Sequence, residues 1–276
     1  MKLIGQGRTA DIYAYSSNQI LKLYQSDFPL AAIQNEFRIT QLLHDKGLPV
    51  PQARKIIDEG NRKGIVFERI EGQTMFSLMF HQPPRLQERV HQLAASHKEL
   101  HAQSDDERVL PSQKQVLSGA IRRTQLLSEE DKTRILDYLT RLPERIQICH
   151  GDYHPDNVMM NEMKNACDVI DWMTGMSGDP AGDVARSWVI LTSGSLPEDA
   201  DPAIRLGFER FRDTIVEGYI NHYMHLSGLT WQEIESWILP VAAARLEESL
   251  PGNEAEKVLK LVQDRLNHLD SRIELK

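Results

Sequence analysis

The segment His150–Asn157, which reads HGDYHPDN, constrains the fold of this chain more than any other stretch. Pro155 excludes the interior of a helix, because proline lacks a backbone N–H and clashes with the preceding helical turn. Apolar residues lie on both sides of the segment, and a further apolar stretch leads into Asp171. This order predicts a strand–loop–strand unit that carries two acids and an amide, Asp152, Asp171 and Asn157. Carboxylate and amide oxygens suit Mg²⁺, so the unit is a candidate cradle for a metal ion and a nucleotide.

Length and composition are those of an ordinary globular protein. The chain has 276 residues, enough for one large domain or two lobes, with 41% hydrophobic and 26% charged residues. No apolar run approaches the roughly 18 residues of a membrane helix, and the apolar part of the N-terminus is too short for a signal peptide. The two cysteines, Cys149 and Cys167, form no CxxC pair and are expected to be reduced thiols. We therefore expect a cytoplasmic protein without a membrane partner.

The net charge of −8 argues against a general nucleic-acid-binding protein. Residues 1–73 hold ten basic and eight acidic residues, a balance of +2, and the remaining chain holds 22 and 32, a balance of −10. The acidic C-terminal part would attract a cationic substrate, although carboxylates on solvated helix faces explain the same composition.

Two glycines near the N-terminus belong to a pattern of the type G-x-G-x-x-A, formed by Gly5, Gly7 and Ala10. A dinucleotide-binding turn of this kind requires a helix directly after the glycines. Here aromatic and branched residues follow instead, on both sides of a polar connection at 16–19, which is typical of a β-hairpin. The glycines are therefore predicted to form a flap whose backbone amides cover phosphates, with an ordinary glycine-containing hairpin as the alternative.

Lys22 lies in a predicted strand among apolar residues, and an inward-pointing ammonium needs a partner because an unpaired buried charge is costly. Its candidate partner is Glu36, in a run from Leu30 to Asp45 with helical apolar spacing. Each residue alone has a simpler explanation: lysines protect strand edges, and most helix glutamates are solvated. We therefore assign a functional role to Lys22 and Glu36 only if the two side chains interact.

The sequence changes from strand-rich to helix-rich near residues 70–73, after two further predicted strands at 52–58 and 63–70. We place the boundary between an N-terminal nucleotide-binding lobe, 1–72, and a C-terminal catalytic and acceptor-binding lobe, 73–276. Helices are predicted at 87–103, from Ser128, from Thr230 through Ile238, and at about 253–269. Pro240 is expected to kink or break the helical run that contains it.

His97 and His101 in the helix at 87–103 have the i, i+4 spacing of some zinc sites. The glutamate of the H-E-x-x-H motif is misplaced and the sequence shows no third ligand, so packing or solvent-facing histidines are the favoured interpretation.

The order of these features is similar to the protein-kinase signature set, with H-G-D in place of H-R-D. More closely, the chain resembles the aminoglycoside phosphotransferase / choline kinase family of small-molecule kinases. The motifs that carry the resemblance are His150–Asn157, Val169–Trp172 and Gly178–Ala185. The resemblance implies an α+β, bilobal protein-kinase-like fold, with a small N-terminal antiparallel sheet and one helix followed by a larger, mainly α-helical C-terminal lobe.

The resemblance also implies the catalytic and metal-binding residues. Asp152 would accept or orient the proton of the substrate hydroxyl, and Asn157 and Asp171 would bind Mg²⁺. His154 lies where protein kinases have a lysine, and would either help to neutralise the transferred phosphoryl group or cap the loop. Positioning and charge neutralisation by such groups are what the loose transition state of phosphoryl transfer requires.

The nucleotide-binding residues follow from the same resemblance. Lys22, paired with Glu36, would contact the α- and β-phosphates, and the backbone from Glu68 to Ile70 would receive adenine. Asp183 matches a position that supports the catalytic loop by hydrogen bonds.

We therefore expect a kinase that uses ATP or GTP with Mg²⁺ and transfers the γ-phosphoryl group to a hydroxyl of a small molecule. A cationic amine or amino sugar is the favoured acceptor, because of the acidic C-terminal part. The alternative is a catalytically weak pseudokinase that binds nucleotide and serves as an interaction module. A protein kinase is disfavoured, because no activation segment separates Asp171 from an A-P-E motif.

Overall fold

The computed structural model describes residues 1–194 and 202–273. In chain order, its strands are β1 Lys2–Gln6, β2 Ala10–Ser16, β3 Gln19–Tyr24, β4 Ala53–Glu59, β5 Arg62–Glu68, β6 Gln73–Thr74, β7 Gln147–Cys149, β8 Val158–Asn161, β9 Ala166–Val169 and β10 Met176–Gly178. Its helices are α1 Leu30–Asp45, α2 Met75–His81, α3 Leu86–Leu100, α4 Gln113–Arg123, α5 Glu129–Arg141, α6 Pro180–Ser193, α7 Pro202–Ser227, α8 Trp231–Arg245 and α9 Gly252–Ile273.

The chain divides into two compact units. The first unit comprises Met1–His81 and Pro155–Gly175, and the second comprises Gln82–His154 and Met176–Lys276. The boundary predicted at residue 72 thus differs from this division, because residues 73–81 and 155–175 pack with the N-terminal residues. The functional assignment of 1–72 and 73–276 as nucleotide-binding and acceptor-binding lobes stays a prediction.

The first unit contains the expected antiparallel sheet with one helix. The strand order is β1-β2-β3-β5-β4, all pairs are antiparallel, and α1 connects β3 to β4. Leu21 and Leu23 pack with Val66 on one face of the sheet, whereas Tyr24 packs with Ile33 of α1 on the other. Because side chains alternate along a strand, Lys22 shares the face of Tyr24 that α1 covers.

A second sheet of the first unit, ordered β6-β8-β9, carries the residues that follow the segment HGDYHPDN. Residues Pro155–Asn157 form a 3-10 turn before β8, as expected for a proline-containing loop. Gly72 has a φ of +134°, and a Cβ at this position would lie 2.2 Å from the carbonyl oxygen of Met160. A residue other than glycine is therefore excluded where β6 approaches β8.

The second unit is mainly helical, which together with the N-terminal sheet confirms the predicted α+β class. Its short β7–β10 ladder is antiparallel and leads into the segment HGDYHPDN. Ser128 caps α5, and Thr230 forms a complete capping box with Glu233 at the start of α8, as their sequences predicted. Within residues 1–194 and 202–273, no helix combines the length and apolar character needed to cross a membrane.

Pro240 lies inside α8, which continues to Arg245, so of the two outcomes expected at this residue, a kink or a break, the break does not occur. Proline removes the N–H that would bond to the carbonyl four residues earlier, that of Ser236. The hydroxyl of Tyr138 in α5 donates to this carbonyl at 2.9 Å. A side chain from a neighbouring helix thus satisfies the carbonyl that the proline leaves without its helical partner.

We predict that Tyr138→Phe lowers the free energy of unfolding by about 1 kcal/mol, because the Ser236 carbonyl loses its donor. Tyr138→Phe should lower the free energy of unfolding by less in a Pro240→Ala background, because alanine supplies the backbone N–H that proline lacks. Urea unfolding of both single variants and the double variant measures the difference. An equal loss in both backgrounds would contradict this role of Tyr138.

Candidate active site

Lys22 is the centre of a buried polar cluster in the first unit. Its ammonium lies 2.8 and 3.1 Å from the two carboxylate oxygens of Glu36 and 2.8 Å from Oδ1 of Asp171. Burial lowers the pKa of Lys22, but the attraction of Glu36 and Asp171 outweighs burial and raises the pKa above its ordinary value. Lys22 is therefore a fixed positive charge.

Glu36 is held from two sides. It lies one helical turn beyond Ile33 and is 1% exposed, and the hydroxyl of Tyr24 donates to its Oε2 at 2.6 Å. The carboxylate thus accepts three hydrogen bonds, which a buried charge requires. The sequence predicted Glu36 as the partner of Lys22 but missed Tyr24. The sequence contained evidence for Tyr24, because residues two positions apart in a strand, such as Lys22 and Tyr24, lie on the same face of the sheet.

Asp171 has a left-handed backbone conformation, with φ +65° and ψ +61°, which is uncommon for a residue other than glycine. Its side chain is 39% exposed, and its Oδ1 atom contacts Lys22. Asn157 is buried, and its carbonyl accepts a hydrogen bond of 2.9 Å from the N–H of Ile170, the residue before Asp171. The first unit thus brings together the backbone segments of the two candidate Mg²⁺ ligands.

Of the two glycines of the predicted flap, Gly5 lies in β1 and Gly7 lies between β1 and β2, so a strand and not a helix follows them, as expected. Gly5 pairs with Ile12 across β1 and β2, and the N–H of Gly7 donates to the carbonyl of Ala10 at 2.8 Å. Ala10 is 2% exposed and packs into the sheet core. The methyl group that replaces a third glycine therefore contributes to packing.

The backbone predicted to receive adenine lies at the end of β5. The N–H of Glu68 donates to the carbonyl of Gln52, and the N–H of Arg69 donates to that of Asn18, both at 2.9 Å. These two amides are engaged within the unit. The N–H of Ile70 has no hydrogen bond to any residue in 1–194 or 202–273.

In the second unit, Asp152 lies in a turn that depends on Gly151, whose φ is +76°. The N–H of Asp152 donates to Nδ1 of His150 at 3.1 Å. The carboxylate lies 3.6 Å from Nε2 of His154 and 3.5 Å from Nη2 of Arg186. Burial raises the pKa of Asp152, but His154 and Arg186 outweigh it and hold the pKa below its usual range. The carboxylate is therefore ionised and able to accept a proton or hydrogen bond.

Asp183 fixes the backbone on which Asp152 depends. Its carboxylate accepts hydrogen bonds from the backbone N–H groups of His150 and Gly151, at 2.6 and 2.8 Å. Nε2 of His97 and Nε2 of His101 lie 3.0 and 3.2 Å from the same carboxylate. Burial raises the pKa of Asp183, but the two histidines outweigh it and hold the pKa well below its usual range. One buried charge thus has four donors.

The two histidines also bind tyrosines of α7 through their other ring nitrogens. Nδ1 of His97 lies 2.6 Å from the hydroxyl of Tyr219, and Nδ1 of His101 lies 2.6 Å from that of Tyr223. The sequence showed no third metal ligand, but the structure brings Asp183 to both histidines, with ligand atoms within 4.8 Å of one another. Every ring nitrogen already faces a hydrogen-bonding partner, so the geometry is that of a satisfied polar core.

Arg186 is a second site residue, after Tyr24, that the sequence did not reveal. Its Nε donates to the carbonyl of Gly151 at 3.0 Å, and its Nη2 lies 2.6 Å from Glu248 and 3.5 Å from Asp152. Its position could have been noticed in the sequence: Arg186 follows Asp183 by three residues, and residues three apart share a helix face.

The free energy of unfolding should fall between about pH 6 and pH 4 because of His97. Burial, with His101 nearby, lowers the pKa of His97 from 6.5 to about 3. Between these values the unfolded chain binds a proton that the folded chain does not, so acidification favours unfolding by up to about 1.4 kcal/mol per pH unit. His97→Gln keeps a nitrogen near Asp183 but does not titrate, so its unfolding free energy should depend less steeply on pH. Urea unfolding at each pH tests this, and equal slopes would contradict it.

Comparison with known proteins identifies the family. Residues 1–225 match the model of the phosphotransferase enzyme family. Mouse acyl-CoA dehydrogenase family member 10 is 27% identical over 175 residues, and the match spans 56% of this chain but only 16% of the mouse protein.

Solved structures share the fold at low identity. An aminoglycoside-3'-phosphotransferase of type VIII superposes with a TM-score of 0.63 and 17% identity, covering 88% of this chain and 91% of that one. A choline kinase from Streptococcus pneumoniae gives a TM-score of 0.60 and 15% identity, over 95% and 92% of the two chains. Since the family model matches most of the chain, this protein belongs to the phosphotransferase enzyme family.

Proposed function

We propose that this enzyme transfers the γ-phosphoryl group of ATP or GTP, with Mg²⁺, to a hydroxyl group of a small molecule. The observation that carries the proposal is the ammonium of Lys22, held within 2.8 Å of both Glu36 and Asp171. A permanently charged lysine on a strand, oriented by a helix glutamate, is suited to neutralise nucleotide phosphates.

The nucleotide would be bound by the first unit. Lys22 contacts the α- and β-phosphates in this proposal, and the backbone amides of the flap that contains Gly5 and Gly7 lie over them. The free N–H of Ile70 donates to the adenine or guanine ring, and the carbonyl of Glu68 accepts from it.

Mg²⁺ would be held by Asn157 and Asp171. The donor set fits, since an amide oxygen and a carboxylate are the hard ligands that Mg²⁺ prefers. Lys22 engages Oδ1 of Asp171, which leaves Oδ2 of this half-exposed side chain for the metal ion. When bound, Mg²⁺ neutralises charge on the β- and γ-phosphates. The left-handed conformation of Asp171 is the kind of backbone strain that functional sites retain.

Asp152 would orient the acceptor hydroxyl. The oxygen of the acceptor hydroxyl attacks the γ-phosphorus as the bond from phosphorus to the β-phosphate oxygen breaks. The proton of that hydroxyl passes to the Asp152 carboxylate. The lowered pKa of Asp152 keeps this group ionised before the transfer. Little basicity is needed, because the loose transition state demands positioning more than proton abstraction. His154, 3.6 Å from Asp152, neutralises charge on the transferred group or caps the loop.

A cationic amine or amino sugar that carries a hydroxyl is the proposed acceptor class. The balance of −10 outside residues 1–73 favours a cation. The names of two structural neighbours, an aminoglycoside phosphotransferase and a choline kinase, describe enzymes with acceptors of this kind.

We predict that Asp152→Asn reduces turnover to a small residual rate and leaves nucleotide binding unchanged. ATP consumption with Mg²⁺ is measured against a panel of hydroxylated amines, amino sugars and neutral alcohols. In parallel, Mg-ATP at 100 times its dissociation constant should stabilise both proteins by about 2.7 kcal/mol. Asp156→Asn, an exposed acid in the same segment, is the matched control and should keep full turnover.

Each outcome of this experiment separates the alternatives. Full activity of Asp152→Asn would contradict the role of Asp152. Stabilisation by Mg-ATP without transfer to any member of the panel would favour a nucleotide-binding pseudokinase. No stabilisation of the unsubstituted protein by nucleotide would contradict both functions.

A further inference from the structure

We propose that Arg186 is a positioning residue, which fixes both the orientation and the charge of Asp152 from helix α6. This inference rests on the proposed function, in which Asp152 receives the acceptor hydroxyl. It concerns a residue outside the three motifs by which the chain resembles its family.

Arg186 and Asp183 act on the same glycine from successive turns of α6. Asp183 accepts the N–H of Gly151 at 2.8 Å, and Nε of Arg186 donates to the carbonyl of Gly151 at 3.0 Å. Both backbone polar groups of Gly151 are therefore fixed by one helix. Since Gly151 has a positive φ and no side chain to anchor it, these two bonds determine how the next residue, Asp152, is presented.

The guanidinium of Arg186 is itself anchored. Its Nη2 lies 2.6 Å from Oε1 of Glu248, in the turn after α8, and Oε2 of Glu248 accepts a hydrogen bond of 3.0 Å from Arg245. The side chain of Arg186 is only 13% exposed. A planar guanidinium held at Nε and Nη2 has one orientation, so the arrangement is preorganised before any substrate binds.

Two nitrogen groups lie near the carboxylate of Asp152. Nη2 of Arg186 lies nearer to Glu248, at 2.6 Å, than to Oδ1 of Asp152, at 3.5 Å. Oδ2 of Asp152 faces Nε2 of His154 at 3.6 Å. His154 and Arg186 thus both lie near the carboxylate of Asp152, and Glu248 holds the Arg186 cation nearer to itself than to Asp152.

The first test is a double-mutant cycle, measured with the acceptor that gives the highest turnover in the panel above. Arg186→Gln should lower kcat by about 100-fold, the effect of misplacing a reacting group, with the KM for nucleotide unchanged. Arg186→Lys keeps the cation but lacks the Nε–H, and should retain an intermediate kcat. In the Asp152→Asn background, Arg186→Gln should produce no further loss, because it acts through Asp152.

A matched control separates positioning from folding. Arg265 pairs with Glu235 at 2.6 Å, the same distance as Arg186 to Glu248, but lies in α9 and contacts no site residue named above. Arg265→Gln should leave kcat unchanged. Additive losses for Arg186→Gln and Asp152→Asn, or an equal loss for Arg265→Gln, would overturn the proposal.

A second measurement needs no acceptor. The ¹³C resonance of the Asp152 carboxyl, assigned by its absence in Asp152→Asn, is followed as a function of pH. His150, His154 and Arg186 are the charged or titratable neighbours that lower the pKa of this carboxyl. Removing the Arg186 cation should move the midpoint up towards the ordinary value, whereas Arg265→Gln should not. An unchanged midpoint in Arg186→Gln would overturn the inference, while absence of turnover in the unsubstituted enzyme would count against the proposed function alone.

Discussion

The buried carboxylate of Asp183 is the interaction on which the second unit depends. A carboxylate in the core is tolerated only when its lone pairs are satisfied, and Asp183 accepts from two backbone amides and two histidines. These partners come from α3 and from the segment after β7, so one charge joins elements that are distant in sequence. The histidines are held in turn by tyrosines of α7. The glycine turn that presents Asp152 is therefore determined by the core.

The first unit is arranged around a buried charge of opposite sign. Lys22 is paired with Glu36 and Asp171, and Tyr24 completes the hydrogen bonds of Glu36. Removing one partner from such a set is costly, because the remaining charge stays buried. A ligand that carries negative charge, such as a nucleotide phosphate, would add a further partner to Lys22 without exposing it. In both units, charges in the interior fix the positions of the candidate site residues.

Local patterns in the sequence predicted local structure well. The period of β3 and the helical spacing of α1 were sufficient to pair Lys22 with Glu36, fourteen residues apart. The sequence alone did not reveal contacts between residues that lie far apart along the chain. Asp171 contacts Lys22 across 149 positions, and the hydroxyl of Tyr138 reaches the Ser236 carbonyl across 98. No periodicity encodes such contacts, because tertiary packing brings these elements together.

The same limit explains what the sequence missed around Asp152. His97 and His101 were recognised as a pair by their spacing, but Asp183 is more than 80 positions away. Arg186 was within reach of a sequence argument, since it follows Asp183 by one turn, whereas its anchor Glu248 was not. The motifs predicted the family through the resemblance that they carry, and the family model confirms it. The acceptor is not encoded in them, because acceptor pockets are formed by residues scattered along the chain.

We infer that the Asp183 carboxylate holds the turn at Gly151, which presents Asp152, in place without help from a ligand. Amide hydrogen exchange of Gly151 in the ligand-free protein tests it most directly, in the unsubstituted chain and in Asp183→Asn. We predict that the Gly151 amide is protected from exchange in the unsubstituted chain and exchanges much faster in Asp183→Asn. Amides of the N-terminal sheet should keep their protection in both proteins. Equal protection of the Gly151 amide in both proteins would contradict the account.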